Sequence, residues 1–243
     1  MKKLTSITAF LVLFVFISGK TQEMNLDQIL SKYYQTTGLD LVKDWKTLTM
    51  TGKTLAQGME FPVIMYMKRP GKIRVEVEIQ GNKMLQVFDG QAGWSVVPWS
   101  GSSDPQEMNP DEVKGMKEQA DFEGSLYNWK EKGHKVELIG KDDMEGTPVY
   151  KIKTNLADGN IETYYIDAES FVELKVSSVS KIQGNETEGE GYISNYKDVS
   201  GALMPFAIEN KVKGQTVSTV EIIKYEVNKD LNDSLFVKPA KKK

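Results

Sequence analysis

The chain has 243 residues, 40% of them hydrophobic and 27% charged, with a formal net charge of −3 and no cysteine. These values suit a globular protein with a real core, and the interspersed 31 basic and 34 acidic residues form no basic stripe for nucleic acid. The missing thiol excludes disulfides, thiol catalysis, cysteine-ligated metal and an acylated N-terminal cysteine, so stability rests on burial and sheet hydrogen bonding.

Lys2 and Lys3 precede an apolar run centred on Leu11 to Ile17, and Ser18 and Gly19 follow as small residues. The pattern predicts a cleavable signal peptide over 1–21, with an uncleaved anchor as the alternative, because the run is short for a span of roughly 20 residues. The expected compartment is a periplasm, and the expected mature unit is one domain over 22–243. Asn25 and Gln28 have capping-box spacing, Leu26, Ile29, Leu30, Tyr33 and Tyr34 recur at helical intervals, and Gly38 suits a stop. One amphipathic helix of about three turns is predicted there.

From Thr47 to Trp99 the apolar period becomes two, giving five strands joined by short turns at Arg69-Pro70-Gly71-Lys72, read as type II, and Asp89-Gly90. Short turns impose antiparallel neighbours. Asn109-Pro110 opens one or two short helices before Trp129. About seven further strands run from Lys135 to Asn228. The fold class is therefore mainly β: a large curved antiparallel sheet, an open or half barrel of 11–12 strands, with helices over its concave face.

Phe61, Val63, Met65 and Met67 share one face of the second strand, and Ile73, Val75, Val77 and Ile79 alternate with charged residues in the third. So wide a sheet is not filled by its own side chains, and two short helices would cover its concavity without plugging it. An apolar cavity under a lid is expected, lined by Phe61, Val63, Met65, Met67, Ile73, Val75, Val77, Met84 and Trp94. It would gain about 0.8 kcal/mol per buried methylene of an alkyl guest, and methionine walls adapt to varied guests. Arg69 falls in step with the apolar face. Either it snorkels from a strand end, or it sits at the rim and donates to lid carbonyls or a polar headgroup.

Enzyme signals are weak. His134, the single histidine, sits at a strand start, Asp142-Asp143 reads as a solvated turn, and no nucleophile-elbow, phosphate-loop or dinucleotide motif occurs. No cofactor or metal is expected. A carboxylate pair across a cleft, or a sugar surface at Trp94 and Trp99, stays open.

The segment ending Lys68-Arg69-Pro70, the alternating strand Ile73 to Ile79, Asp89-Gly90 and Trp94 resembles the periplasmic outer-membrane lipoprotein carriers, the LolA-like family. So do Tyr164 to Val176 and the closing stretch from Asn195 to Pro239. The resemblance implies an open barrel whose apolar cavity carries lipoprotein acyl chains, and an arginine at position 69 tied to lid closure. A family aromatic is replaced here by Ile73. The implied partners are acylated lipoproteins or lipids, an inner-membrane donor and an outer-membrane acceptor, with a monomeric, non-enzymatic protein. The same fold also serves envelope-stress sensors, which leaves a sensor or interaction module as the second expectation.

Overall fold

The computed structural model describes residues 23–100, 104–182 and 185–240; the expected signal peptide lies outside them. The first element, α1 (Leu26–Thr37), starts where Asn25 and Gln28 exchange side-chain-to-backbone hydrogen bonds of 3.0 Å in each direction. It ends at Gly38, whose φ is +73° and where a Cβ would lie 2.6 Å from the Gly201 carbonyl oxygen, so only glycine fits both the twist and the space. A single turn, α2 (Leu39–Val42), follows.

The strands β1 (Thr47–Ala56), β2 (Met59–Lys68), β3 (Lys72–Ile79), β4 (Asn82–Phe88), β5 (Gly93–Val96) and β6 (Gln106–Glu107) form an antiparallel meander. α3 (Pro110–Gln119) starts with a second capping box, between Asn109 and Glu112, and Pro110 at its first position. The stretch from Ala120 to His134 is built of turns, so the central segment holds one helix, within the one or two expected. A second meander contains β7 (Lys135–Met144), β8 (Thr147–Asn155), β9 (Ile161–Asp167), β10 (Glu173–Ile182) and β11 (Asn185–Ser194). The small β12–β13 pair (Lys197–Val199 and Ala202–Met204) interrupts it before β14 (Ala207–Val212) and β15 (Gln215–Val227). A 3-10 turn, Asp233–Phe236, closes the described chain.

The main sheet has 13 strands, and its order runs from β6 through β1 to β15 and on to β7. The join between the meanders is the β1–β15 pairing, which bulges between Thr51 and Gly52. A Cβ at Gly52 would lie 2.4 Å from the Glu221 carbonyl oxygen, so the bulge demands glycine. The outermost strands, β6 and β7, do not pair, and the sheet stays open.

The sheet is strongly curled. α3 packs on β3, β4 and β5, while its Lys114 donates to Asn160 (3.0 Å) and its Glu118 accepts from Asn160 (3.0 Å) in the turn between β8 and β9. From β3 to β9 is seven strand steps, about 34 Å in a flat sheet at 4.8 Å per step. A ten-residue helix is only about 15 Å long. The two wings must therefore curve toward each other, and α3 straps the opening.

Candidate functional site: the Arg69 clamp and the inner face

Lys68 pairs with Lys72, so the β2–β3 connection is the three residues 69–71. The Arg69–Pro70 peptide is cis and Gly71 has φ +56°, a different connection from the type II turn read in the sequence. The backbone amide of Arg69 donates to Lys46 O at 2.9 Å, which holds the residue beside the start of β1. From there its side chain turns toward the helices. Nε donates to Trp45 O at 2.7 Å, and Nη2 donates to Val42 O at 3.1 Å and to Glu123 Oε1 at 2.8 Å. The guanidinium carbon stands 4.4 Å from the centre of the Phe122 ring. Val42 is the last residue of α2, where carbonyls lack partners within the helix. Arg69 thus caps α2 from outside and joins it to the loop after α3. Donation to backbone carbonyls agrees with one of the two sequence expectations. Glu123 and Phe122 were not foreseen.

Cross-strand partners share a face, so the register assigns every strand residue a side. Leu48, Met67, Ile73 and Phe88 form one row facing the helices. There they pack with Ile29, Leu30, Val42 and Trp45 and, on the other wing, with Ile152 and Ile166. Met67 is 4% exposed and Ile73 0%. This part of the inner face is filled by the protein's own side chains. The sequence expectation of a hollow directly beneath the helices is therefore corrected: α1, α2 and the turns after α3 supply enough apolar volume to plug it.

Beyond the helices the inner face continues as a partly buried apolar strip. The rows Met50, Met65, Val75 and Gly52, Val63, Val77, Met84 lead to Thr54, Phe61, Ile79 and Asn82 at the far hairpin tips. Met50, Val63 and Ile222 are buried, while Met65, Val75, Val77, Phe206, Ile208 and Val220 around them are half-buried. Met84 and Phe61 are half-buried as well. Next to these tips lies a pocket of about 620 Å³ lined by Phe61, Ile79, Met59, Ala56, Pro98 and Trp99, with Gln57, Gln80 and Asn82 at its edge. None of these residues is charged. The pocket lies within the common size range for ligand sites. Ile79, Met59 and Trp99 were absent from the predicted lining, although Ile79 belongs to the same alternating strand.

Trp94 does not join this lining. Phe88 pairs with Gly93, so Gly93 takes the inner position and Trp94 pairs with Val87 on the outer face. A Cβ at Gly93 would lie 2.6 Å from Met108 Sδ, which leaves no room for a large inner side chain there.

The inner face of the second wing holds carboxyls. Tyr33 Oη of α1 donates to Glu173 Oε2 at 3.3 Å, and Tyr196 Oη donates to the Glu173 carbonyl at 2.8 Å. Burial pushes the Glu173 carboxyl up to about 8, and the Glu162 charge adds to the rise against the Tyr33 hydrogen bond. Glu162 Oε2 accepts from Ser125 Oγ (2.5 Å) and from Tyr164 Oη (2.7 Å). Among the described residues no group of three His, Cys, Asp or Glu side chains is arranged to hold a metal ion.

The geometry has counterparts among solved structures. A LolA superfamily protein from Nitrosomonas europaea superposes with a TM-score of 0.60 at 16% identity, over 89% of this chain and 99% of that one. The chain has the LolA-type fold. A domain from Vibrio parahaemolyticus described as an outer membrane lipoprotein-sorting protein aligns with a TM-score of 0.59 at 11% identity, over 87% of this chain and 97% of that one. A DUF1329 family protein from Desulfovibrio piger gives 0.57 at 12% identity, over 86% and 97%. No model of a protein family matches the sequence, and no curated protein matches it. The LolA-type likeness is one of fold.

Proposed function

We propose that this protein is a non-enzymatic periplasmic carrier that binds the acyl chains of lipoproteins or lipids and hands them to an acceptor at the outer membrane. The observation that carries the reading is the half-buried apolar strip from Met65 and Val75 to Phe61 and Ile79, which ends in the 620 Å³ pocket. An alkyl chain laid along it gains about 0.8 kcal/mol for each methylene removed from water. The helices plug the remainder of the inner face, and Arg69 holds α2 and the Glu123 loop against it. Loading proceeds by chain entry at the hairpin tips and displacement of the helical plug. Release follows when the Arg69 contacts re-form and the plug returns. Phe61, Val63, Met65, Val75, Val77 and Met84 contact the chain, and Met67 and Ile73 are reached only when the plug moves.

The test is native mass spectrometry of the protein purified from its own periplasm under mild conditions. Co-purifying lipid or acylated protein is the expected result. Persistent absence of both, with no binding of a fluorescent fatty acid in vitro, would refute the carrier role. Co-purification with a regulatory membrane protein and no acylated cargo would transfer the fold to a sensing role.

A further inference from the structure

Arg69 is not alone in standing in step with an apolar face. In the small β12–β13 pair, Lys197 pairs with Met204 and Val199 with Ala202, so these four residues share one side. Ala202 is buried in the core of the plug, and Val199 and Met204 pack against that core. Lys197 itself is exposed. Its Nζ stands 4.3 Å from the centre of the Phe206 ring. Phe206 meets Tyr225 edge to face, with ring centres 5.3 Å apart, and packs on Met50, Val63 and Ile222 as part of the apolar strip. The Lys197 ammonium therefore stands where the plug ends and the strip begins.

Among the described residues Lys197 forms no ion pair. Its neighbour Asp198 pairs with Leu203 on the opposite side and accepts from the Gly201 amide at 3.4 Å. By register the inner positions of β1–β4, β14 and β15 are uncharged, and Glu60, Glu76, Glu78, Glu209, Glu221 and Glu226 lie on the outer face. On the second wing Glu173 bonds Tyr33, and Glu162 bonds Ser125 and Tyr164. Two further ammonium groups lie over rings on the inner side, Lys32 over Phe171 and Lys141 over Tyr150. Those rings stack on each other at 5.9 Å and belong to the core beneath the plug. Of the three lysines, Lys197 is the one whose ring is part of the strip.

We infer that the cargo carries an anionic head, a carboxylate or a phosphate, which the Lys197 ammonium meets at the border of the plug while the chain runs along the strip to the hairpin tips. This inference rests on the carrier reading above and specifies its ligand class. An ammonium resting on one ring keeps N–H donors free for an acceptor. A chain laid beside Phe206 strips water from that ammonium. An uncharged head leaves the loss uncompensated, whereas an anionic head replaces the water with a charge-assisted hydrogen bond. The end of the chain seats in the tip pocket first, the rest lies down along the strip, and the head reaches Lys197 last.

The experiment is displacement of a bound fluorescent fatty acid from the delipidated protein at pH 8 by two pairs of amphiphiles. Oleate and oleyl alcohol share a chain and differ in the carboxylate; oleoyl lysophosphatidate and monooleoylglycerol share chain and glycerol and differ in the phosphate. In at least one pair the anionic member is expected to compete about fivefold more strongly, the upper scale of a solvent-exposed ion pair, and the pair that shows it identifies the head as carboxylate or phosphate. Lys197→Ala is expected to abolish the preference, Lys197→Arg to keep it and Lys141→Ala to leave it unchanged. Equal competition within both pairs overturns the head-group assignment. So does a preference that survives Lys197→Ala, is lost in Lys197→Arg, or falls as far in Lys141→Ala. Each of these results leaves chain binding and the carrier reading intact. Failure of the fluorescent fatty acid and all four amphiphiles to bind refutes the carrier reading itself.

Discussion

Arg69→Leu removes the clamp while keeping an apolar stem at the end of β2. The side chain makes two hydrogen bonds to carbonyls, one ion pair and one cation–π contact. Charged hydrogen bonds contribute about 1.5–3 kcal/mol when buried. Arg69 is 33% exposed, however, and solvent screening brings each polar contact nearer 1 kcal/mol. The contacts together hold the plug by about 3 kcal/mol, and their loss favours its displacement about 150-fold. Hydrogen exchange resolves this by site. The amides of Lys43 and Trp45, which donate within and just after α2, are expected to exchange about 100-fold faster. Amides of Met67 and Val75 in the β2–β3 ladder are expected to hold their rates. On the carrier reading, cargo transfer is expected to be impaired in the same variant, because the closed state no longer drives release. Unchanged exchange at Lys43 and Trp45 would refute the clamp, and equal acceleration in β2 and β3 would show that Arg69 holds the sheet and not the plug.

Phe61→Glu places a charge in the uncharged pocket and is expected to weaken binding of a fluorescent fatty acid at least tenfold, about the cost of one poorly solvated charge, with the melting temperature nearly unchanged; retained binding would remove the pocket from the chain path. The Glu173 carboxyl is raised to about 8 by burial, so the folded protein binds more protons than the unfolded one between the ordinary carboxylate value and pH 8. Stability is then full at acid pH and falls as pH rises through that window. Glu173→Gln is expected to flatten this fall, with a higher melting temperature than the parent at pH 8 and a difference that shrinks toward pH 5; a gap independent of pH would contradict the assignment. Gly52→Ala drives a Cβ into the Glu221 carbonyl and is expected to cost about 1–3 kcal/mol in urea unfolding, because rigid backbone on both strands cannot move aside; a neutral result would mean that the β1–β15 bulge relaxes freely.

Local chemistry made much of the fold readable. Asn25 with Gln28 and Asn109 with Glu112 mark their helices because capping is a contact between near neighbours in sequence. The alternation from Phe61 to Ile79 marks β2 and β3 because one face is buried. The β1–β15 pairing was not readable, since Leu48 and Val227 meet through register alone, far apart in the chain. Trp94 was placed on the wrong side because β5 is only four residues long and a single step of register reverses its faces. Glu123 escaped notice for a related reason: it lies in a turn with no periodicity, and its role exists only where Arg69 reaches it. The filled space beneath α1 was equally invisible, since alternation reports which face is apolar but not how much volume the helices bring to it.

The β2–β3 hairpin is tethered from behind as well. Lys68 Nζ donates to Leu231 O, Lys72 Nζ pairs with Asp233, and Arg74 Nη1 reaches Leu235 O, so the chain's closing segment grips the outer side of the hairpin that carries Arg69. A hand fixed at the wrist can only open its fingers. In the carrier proposed above, the guanidinium would stay put while its carbonyl acceptors depart, and the travelling part would be the short helical turn it grasps, not the ribbon on which it is mounted.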